Sequence, residues 1–248
     1  MNFLSLYKRQ FLYFFKKKVN IEKDITKNKS TLDDFFIEYG SDKASYWMNK
    51  NNYGHGYSKY YSKYLKKFKH KKIKILEVGS YAGSSAAAFS KFFPHSKIYC
   101  LDINISNFKY SSKNIKVFGM DATNQNHVFN FFKKNNISTN KKFFDIIIDD
   151  GSHKLDDILK VLKFFYKNLK PKGYYVIEDF NLIKYFKHLD SSSEPKIDVV
   201  LDSIKKKKKI KSSILGYNFQ GYLIKNTKSI KIHKGNHRHS VVGFIEKK

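Results

Sequence analysis

From residue 72 onward, short apolar runs alternate with stretches that carry apolar residues at helical spacing. The runs have the length of buried strands, and each of the stretches between them suits a helix. Strands that alternate with helices form a parallel sheet with helices on both faces. The pattern therefore predicts an α/β protein with a doubly wound, mostly parallel sheet. Its five predicted strands are KIKILEVGS, SKIYCLDI, NIKVFGMDA, FFDIIIDD and GYYVIEDF.

The segments before this core predict helices and loops. Residues 3–15 place aromatic side chains near helical spacing, ahead of the cations Lys16 to Lys18. This helix is predicted to pack on the protein or on a second subunit, and the alternative is a helix that lies on an anionic membrane. Residues 19–30 are polar and predict a linker. Thr31 then predicts the N-cap of a helix that ends near Gly40.

The segments after the core are less regular. Residues 181–196 include a Ser-rich stretch, and the helix that follows ends in Lys205 to Lys209. We interpret this charge run as a solvated helix end, with docking to an anionic substrate or membrane as the alternative. The tail predicts strands at NFQGYLIKN, SIKIHK and SVVGFIEK. The last two fit a closing antiparallel hairpin.

A chain of 248 residues suits one domain with appendages. We expect an N-terminal aromatic and basic extension over residues 1–30 and a single domain over residues 31–248. Within that domain, residues 31–70 are expected to supply helices and the loops of a ligand lid. Residues 72–180 form the core sheet, and residues 181–248 a substrate-side insertion and the closing strands.

The formal net charge of +28 makes nucleic acid and anionic membranes candidate partners, because both are negatively charged. The charge is diffuse, however, and Lys, Asn, Ile, Phe and Tyr are abundant together, which is typical of an A/T-rich coding bias. Cys100 is the single cysteine, so an internal disulfide is excluded. No apolar stretch reaches the roughly 18 residues of a membrane span, and no signal-peptide pattern is present. We expect a cytoplasmic protein, with the inner face of the membrane as an open alternative.

Glycines and acidic residues follow the first three strands of the core. The first strand leads into the turn Glu77 to Gly83, where glycines let the backbone approach a ligand and the next helix can hold a negative group. Asp102 closes the second strand, a position from which an acid accepts hydrogen bonds from ribose hydroxyls. Asp121 closes the third strand. The alternative for each isolated acid is a helix cap.

Four further side chains follow the fourth and fifth strands. Asp150 and His153 come after the fourth, and Glu178 and Asp179 after the fifth. Neighbouring strands would bring the three carboxylates beside one imidazole, and such carboxylates repel one another unless a cation compensates them. Oxygen ligands suit magnesium, with manganese or calcium as alternatives, and no thiolate favours zinc. The alternative is a structural role, in which Asp150 and Glu178 cap helices and His153 packs against the rest of the protein.

The turn E-x-G-x-x-x-G looks like the first motif of S-adenosylmethionine-dependent methyltransferases, whose acidic and small residues line the amino-acid end of the cofactor. This resemblance implies a Rossmann-like methyltransferase sheet. It implies cofactor contacts at the turn, at the ribose and at the adenine, which fall on Glu77, Gly79, Ser80, Gly83, Asp102 and Asp121.

A more specific resemblance covers roughly residues 31–180. Six segments carry it: YGSDK at 39–43, HGY at 55–57, ILEVGSYAGSS at 75–85, IYCLDI at 98–103, FDIIIDDGSHK at 144–154 and YVIEDF at 175–180. This set resembles the macrocin/mycinamicin-type sugar O-methyltransferases, which methylate deoxysugar hydroxyls on macrolides and whose relatives modify other glycans. It implies S-adenosylmethionine, Mg²⁺ and a sugar or glycan acceptor, which is free, nucleotide-linked or lipid-linked. It implies no specific nucleic-acid partner, and a homo-oligomer stays open.

The resemblance also implies roles for single residues. The metal ligands and the catalytic base fall after the fourth and fifth strands, and the segments that close over the cofactor fall near the N-terminus. The matching positions are Asp150, Glu178 and Asp179 for the metal, His153 for the base, Lys43, His55 and Tyr57 for the closing loops, and Asp149 for support of the cofactor pocket.

Two other activities compete with this interpretation. A nucleic-acid methyltransferase would use the positive charge. Asp149-Asp150-Gly-Ser replaces the Asn/Asp-Pro-Pro-aromatic turn of enzymes that methylate base amines, which disfavours amine methylation but leaves RNA ribose methylation open. A catechol-type O-methyltransferase also chelates adjacent oxygens on a metal, but Glu178-Asp179 replaces its Asp-Asn pair. A non-enzymatic scaffold conflicts with the complete set of acids and base. We therefore expect methylation of a sugar hydroxyl in bacterial surface-glycan or secondary-metabolite biosynthesis.

Overall fold

The computed structural model describes residues 3–23, 30–138, 141–191 and 193–248. It divides into two compact units. The first unit comprises Met1–Asp121 and Gly235–His237, and the second comprises Ala122–Lys234 and Arg238–Lys248. Residues 24–29 of the predicted linker and Ser192 of the Ser-rich stretch lie outside the described residues.

The first unit contains a three-stranded parallel sheet in which β5 lies between β4 and β7. Its helices and strands are α1 (Phe3–Phe15), β1 (Val19–Asn20), α2 (Leu32–Glu38), β2 (Tyr46–Trp47), β3 (Asn52–Tyr53), α3 (Ser58–Leu65), β4 (Lys74–Val78), α4 (Ser84–Phe92), β5 (Lys97–Asp102), β6 (Tyr110–Ser111) and β7 (Ile115–Gly119). Strands β4 and β5 are apolar and buried over most of their length, as expected for parallel strands covered on both faces.

In the second unit, β8 and β9 are parallel, while β9 pairs antiparallel with β11 and β11 with β10. Its helices and strands are α5 (Gln125–Lys134), β8 (Phe144–Asp149), α6 (Leu155–Phe165), β9 (Leu169–Glu178), α7 (Ile197–Lys205), α8 (Gly216–Asn226), β10 (Thr227–Lys234) and β11 (Val241–Lys247). The parallel strands within each unit, with helices between them, and the C-terminal antiparallel hairpin confirm the predicted α/β fold class.

The strand predicted at NFQGYLIKN is wrong, because this segment lies within helix α8. Phe219 and Leu223 are four residues apart, and both are buried, which is the spacing of one helix face. The Gln220 side chain accepts from the N–H of Ile210 and donates to its carbonyl, both at 2.9 Å, so it faces the protein as well. A short apolar pattern fits both a strand and a helix, and the packing of these side chains selects the helix.

The first residues of the predicted linker are also ordered, contrary to the prediction. Val19 and Asn20 pair with Tyr110 and Ser111 as parallel strands, and Ile21 is buried. The helix after it agrees with the prediction, since Thr31 is its N-cap. Within the described ranges, no helix combines the length and the apolar character that crossing a bilayer requires.

Thr31 and Asp34 form a capping box at the start of α2. Thr31 Oγ1 accepts from the N–H of Asp34, and Asp34 Oδ2 accepts from the N–H of Thr31, both at 3.1 Å. Thr31→Ala should therefore lower the free energy of unfolding by about 1 kcal/mol, measured by urea denaturation. Thr31→Ser keeps the hydroxyl and should restore most of this loss. Equal destabilisation by both variants would contradict the capping role.

Lys247 is a buried lysine near the end of β11. Its Nζ donates to the carbonyls of Tyr166 and Leu169 at 3.2 and 2.8 Å and lies 3.0 Å from the Tyr222 hydroxyl. Lys142 donates to the same hydroxyl at 2.8 Å. Burial, together with the neighbouring Lys142 charge, lowers the pKa of Lys247 to about 7.

This low pKa predicts a pH-dependent stability. Between pH 7 and 9 the unfolded chain keeps the Lys247 proton that the folded protein releases, so the free energy of unfolding should rise with pH. Lys142→Met removes the neighbouring charge and should make this rise shallower, while Lys66→Met, at an exposed position, should leave it unchanged. Urea denaturation at several pH values measures the slope, and identical slopes in all three proteins would refute the prediction.

Candidate functional site

The turn after β4 has an unusual backbone. Gly79, Tyr81 and Gly83 all have positive φ, at 83°, 40° and 79°. Glycine adopts this region without strain, whereas a tyrosine rarely does. A Cβ atom on Gly83 would also lie 2.5 Å from the ring of Phe108. Position 83 therefore requires glycine both for its dihedral angle and for space, directly before helix α4.

The Asp102 carboxylate holds this turn in place. Its Oδ2 accepts from the N–H of Tyr81 at 2.7 Å, and its Oδ1 accepts from the N–H of Asn104 at 2.6 Å. The side chain is partly exposed, and each carboxylate oxygen can accept a further hydrogen bond. The structure thus gives Asp102 a positioning role in the turn that the sequence did not predict. Its predicted contact with a ribose is compatible with this role.

Two other predicted residues of the turn are buried within the first unit. Glu77 is fully buried, and its Oε1 accepts from the Ser85 hydroxyl on α4 at 2.5 Å. Ser80 donates to the carbonyl of Glu77 at 3.3 Å. These bonds connect the end of β4 to the beginning of α4. Asp121 is partly buried and lies two residues after the end of β7.

The predicted closing loops form one connected structure. The N–H of His55 donates to the carbonyl of Asp42 at 2.6 Å, and the N–H of Ser58 donates to the carbonyl of Lys43 at 3.0 Å. The Lys43 side chain is buried, and the ring of His55 stacks on that of Tyr57 at 5.2 Å. The structure therefore brings together the three residues that the resemblance assigned to these loops.

Two residues at the tip of the β10–β11 hairpin join these loops and were missed in the sequence. Asn236 donates through Nδ2 to the carbonyl of Gly54 at 3.1 Å, and its N–H donates to the carbonyl of His55 at 2.9 Å. The His237 ring lies edge-on to His55 at 5.4 Å. The polar, histidine-rich composition of this hairpin tip is the sequence feature that could have indicated such contacts. By itself, the pattern predicts only a hairpin turn.

In the second unit, Asp150, His153 and Asp179 form a cluster that could hold a metal ion. One ligand atom of each lies within 4.8 Å of those of the other two. The distance from His153 Nε2 to Asp150 Oδ1 is 3.8 Å. Asp179 is buried, while Asp150 and His153 are partly exposed. Two carboxylates this close repel each other, so the cluster suits a cation with oxygen ligands.

The backbone at this cluster is strained. His153 and Asp179 have φ values of 57° and 50°, which residues other than glycine seldom adopt. The N–H of Asp179 donates to the carbonyl of Val241 at 2.8 Å, and its carbonyl accepts from the N–H of Leu182 at 2.9 Å. Surrounding structure thus enforces a conformation that costs about 1–3 kcal/mol per residue, and such strain concentrates at functional sites.

Glu178 was predicted to be the third carboxylate. It is the last residue of β9, it is buried, and it is paired with Val242. The three-membered group found among the described residues contains His153 in addition to Asp150 and Asp179, and it does not contain Glu178. The assignment of Glu178 as a ligand stays a prediction. Asp150 lies four residues before the N-cap Lys154, so it does not cap α6.

Asp149 ends β8 beside this cluster and is almost fully buried. Burial raises the pKa of Asp149 well above its usual range. Burial and the nearby Asp149 carboxyl also raise the pKa of Tyr175 on the neighbouring strand β9. Burial therefore favours the protonated, neutral form of the Asp149 carboxyl.

Comparison with known proteins shows relatives of one kind. Mycinamicin VI 2''-O-methyltransferase of Micromonospora griseorubida is 26% identical over 143 residues, which cover 55% of this chain and 34% of that protein. Demethylmacrocin O-methyltransferase of Streptomyces fradiae is 25% identical over 132 residues, which cover 50% of this chain and 32% of that protein. The matched region thus spans about a third of the length of these curated relatives.

Solved structures show the same fold. A methyltransferase from the mycinamycin biosynthetic pathway, in complex with Mg and SAH, has a TM-score of 0.66 and 21% identity, and the match covers 89% of this chain and 55% of that chain. The same enzyme with Mg, SAH and mycinamycin VI has a TM-score of 0.64 and 20% identity, with 89% and 55% covered.

The family model described as "Methyltransferase domain" matches residues 69–221, which is more than half of the chain. The relatives confirm the resemblance to the macrocin/mycinamicin-type O-methyltransferases that the sequence motifs indicated. The chain therefore belongs to the methyltransferase-domain family.

Proposed function

We propose that this protein transfers a methyl group from S-adenosylmethionine to a sugar hydroxyl, assisted by a divalent metal ion. The cluster of Asp150, His153 and Asp179 is the observation that carries the proposal. It combines two carboxylates for a hard cation with an imidazole that can take a proton. Both would promote methylation of a sugar hydroxyl, because the hydroxyl is almost entirely protonated at neutral pH and is a poor nucleophile.

The carboxylates of the cluster fit a magnesium ion. Asp150 and Asp179 would hold it, and Glu178 is the further ligand that the resemblance implies. A magnesium ion bound there would act as a Lewis acid and as a template for the acceptor oxygens. Asp179 is suited to this task because its backbone is fixed at both the N–H and the carbonyl. These two backbone bonds fix the direction in which the side chain of Asp179 leaves the main chain.

His153 is proposed as the general base rather than as a metal ligand. Magnesium prefers oxygen ligands, so a site with carboxylates leaves the imidazole available for the proton of the acceptor hydroxyl. At 3.8 Å, His153 Nε2 and Asp150 Oδ1 are too far apart for a hydrogen bond. An imidazole nitrogen with a lone pair can accept the proton of the acceptor hydroxyl, which is the task of this base.

The residues proposed for S-adenosylmethionine belong to the first unit. The glycine turn supports this assignment, since Gly79 and Gly83 allow the positive φ angles that shape the turn at the beginning of helix α4. Asp102 would accept from the ribose hydroxyls through its remaining lone pairs, and Asp121 would face the adenine. The connected loops of His55 and Tyr57 would cover the cofactor. Lys43 would close over the cofactor together with these loops, and Glu77 and Ser80 would line its amino-acid end.

The acceptor is proposed to be a sugar within a larger molecule. The two curated relatives are named for macrolide substrates, mycinamicin VI and demethylmacrocin, and this supports a sugar-bearing acceptor. For this chain we propose a bacterial surface glycan or a secondary metabolite, as a nucleotide-linked or lipid-linked sugar, methylated in the cytoplasm. RNA ribose is the competing acceptor, because the net charge of +28 favours nucleic-acid binding.

A transfer assay with methyl-labelled S-adenosylmethionine and Mg²⁺ tests the proposal. The acceptors are sugar nucleotides, lipid-linked glycans, catechol and RNA. We expect label on at least one sugar acceptor and none on catechol. If RNA is labelled and none of the sugar acceptors is, the acceptor is RNA ribose and the sugar assignment is wrong. If the protein fails to bind S-adenosylmethionine in calorimetry, the methyltransferase assignment itself is wrong.

A further inference from the structure

Helix α1 exposes a continuous apolar surface. Five large side chains lie on one side of it, and we call them the aromatic face: Tyr7, Phe11, Leu12, Phe14 and Phe15. Phe14 and Phe15 are 77% and 69% exposed, and none of the five is less than 49% exposed. Single exposed apolar residues are normal on a protein surface. A group of five on one short helix marks an interaction surface.

The opposite side of α1 is fixed to the first unit. Arg9 Nη1 donates to the carbonyl of Ile103 at 3.0 Å, and Gln10 Nε2 donates to the carbonyl of Gly119 at 2.9 Å. Leu6 is buried, and the Tyr13 ring lies edge-on to Phe108 at 6.3 Å. These contacts hold the helix in one rotation about its axis. The aromatic face therefore points outward and is not covered by the unit to which α1 is attached.

The charges beside the aromatic face are positive. Lys8 lies within the exposed side of α1, and Lys17 follows its end; both are exposed. Lys18 Nζ lies 4.2 Å from the centre of the Tyr13 ring. No acidic residue occurs between Met1 and Ile21. An aromatic face flanked by lysines fits the interface of an anionic bilayer, where rings enter the headgroup region and cations contact phosphates.

The same charge disfavours a second copy of the chain on this face. Each chain carries a net charge of +28, so two copies repel each other while an anionic surface attracts them. Cores of protein interfaces are also depleted in lysine, whereas Lys8 lies within the exposed side of α1. We propose that α1 is an interfacial anchor, which inserts its aromatic face among the headgroups of an anionic lipid bilayer.

The attachment of α1 gives the anchor a defined place in the first unit. Ile103 directly follows Asp102 at the end of β5, and Gly119 is the last residue of β7. The helix is thus bound to the carboxyl ends of two parallel strands, where ligands bind in open α/β sheets. The anchor would hold this edge, with its acids Asp102 and Asp121, close to the membrane surface.

Vesicle co-sedimentation tests the anchor without reference to methyl transfer. The full chain is mixed with vesicles of phosphatidylcholine, with or without phosphatidylglycerol. The double variant Phe11→Gln/Phe14→Gln replaces two aromatic rings by glutamine, a residue that favours helices. Phe129→Gln/Tyr217→Gln is the matched control, because these rings are 58% and 62% exposed in the second unit. Lys8→Gln/Lys17→Gln tests the charges, and circular dichroism checks that all variants fold.

We expect the wild-type protein and the control to bind vesicles that contain phosphatidylglycerol. The aromatic variant should bind at least about tenfold more weakly, since two inserted rings are lost. The lysine variant should lose about fivefold in affinity for each lysine. The proposal is overturned if the wild-type protein does not bind, if the aromatic variant binds like the control, or if ultracentrifugation shows a dimer that the aromatic variant dissociates.

Discussion

Replacing His153 by asparagine should lower the rate of methyl transfer by about 10²- to 10⁴-fold, the usual contribution of a general base. Asparagine is the suitable replacement because it tolerates the positive φ of this position but cannot take a proton near neutral pH. Initial rates with labelled S-adenosylmethionine check this expectation.

The affinities of the asparagine variant for S-adenosylmethionine and Mg²⁺ show whether His153 is a catalytic base or a metal ligand. If His153 is the base, the asparagine variant should bind S-adenosylmethionine and Mg²⁺ as the wild-type protein does, measured by calorimetry. His95→Ala, at an exposed position in the first unit, is the control and should leave the rate unchanged. A variant that keeps its activity would show that His153 is not the base. A variant that loses Mg²⁺ affinity would show that the imidazole is a ligand.

The second large effect is expected for Asp179. Asp179→Asn removes the buried charge of the cluster, and asparagine again tolerates the positive φ. We expect Mg²⁺ affinity to fall by at least about 100-fold, because loss of even a supporting group of a metal site costs 10- to 100-fold. The rate should fall with it and recover in part at high Mg²⁺. Calorimetry and the dependence of the rate on Mg²⁺ concentration measure the two effects.

Two further variants make the Asp179 result specific. Asp190→Asn is the matched control, since Asp190 pairs with Lys196 at 3.7 Å on the surface of the same unit. Glu178→Gln decides whether the neighbouring glutamate is also a ligand, in which case it should weaken Mg²⁺ binding as Asp179→Asn does. If treatment with a chelator leaves the wild-type protein fully active, the proposed metal assistance is wrong.

The sequence by itself determined the strands of the core and the acids at their ends. Strands such as β4 and β8 are buried over most of their length, so their apolar runs could be recognised without tertiary information. The acids and His153 lie within a few residues of the strand ends, and parallel strands deliver such residues to one edge. The capping box of Thr31 was visible for the same reason, because its two partners are three residues apart.

The positions that the sequence left open depend on contacts between distant residues. The turn after β9 is held by the bond from Asp179 to Val241, 62 residues away, and only this turn shows which of the two adjacent acids joins the cluster. Asn236 reaches Gly54 across 182 residues. Helix α8 was mistaken for a strand because a short apolar pattern fits both until packing selects one. The outward rotation of α1 likewise depends on the carbonyls of Ile103 and Gly119, since the aromatic spacing alone does not show which side of the helix is covered.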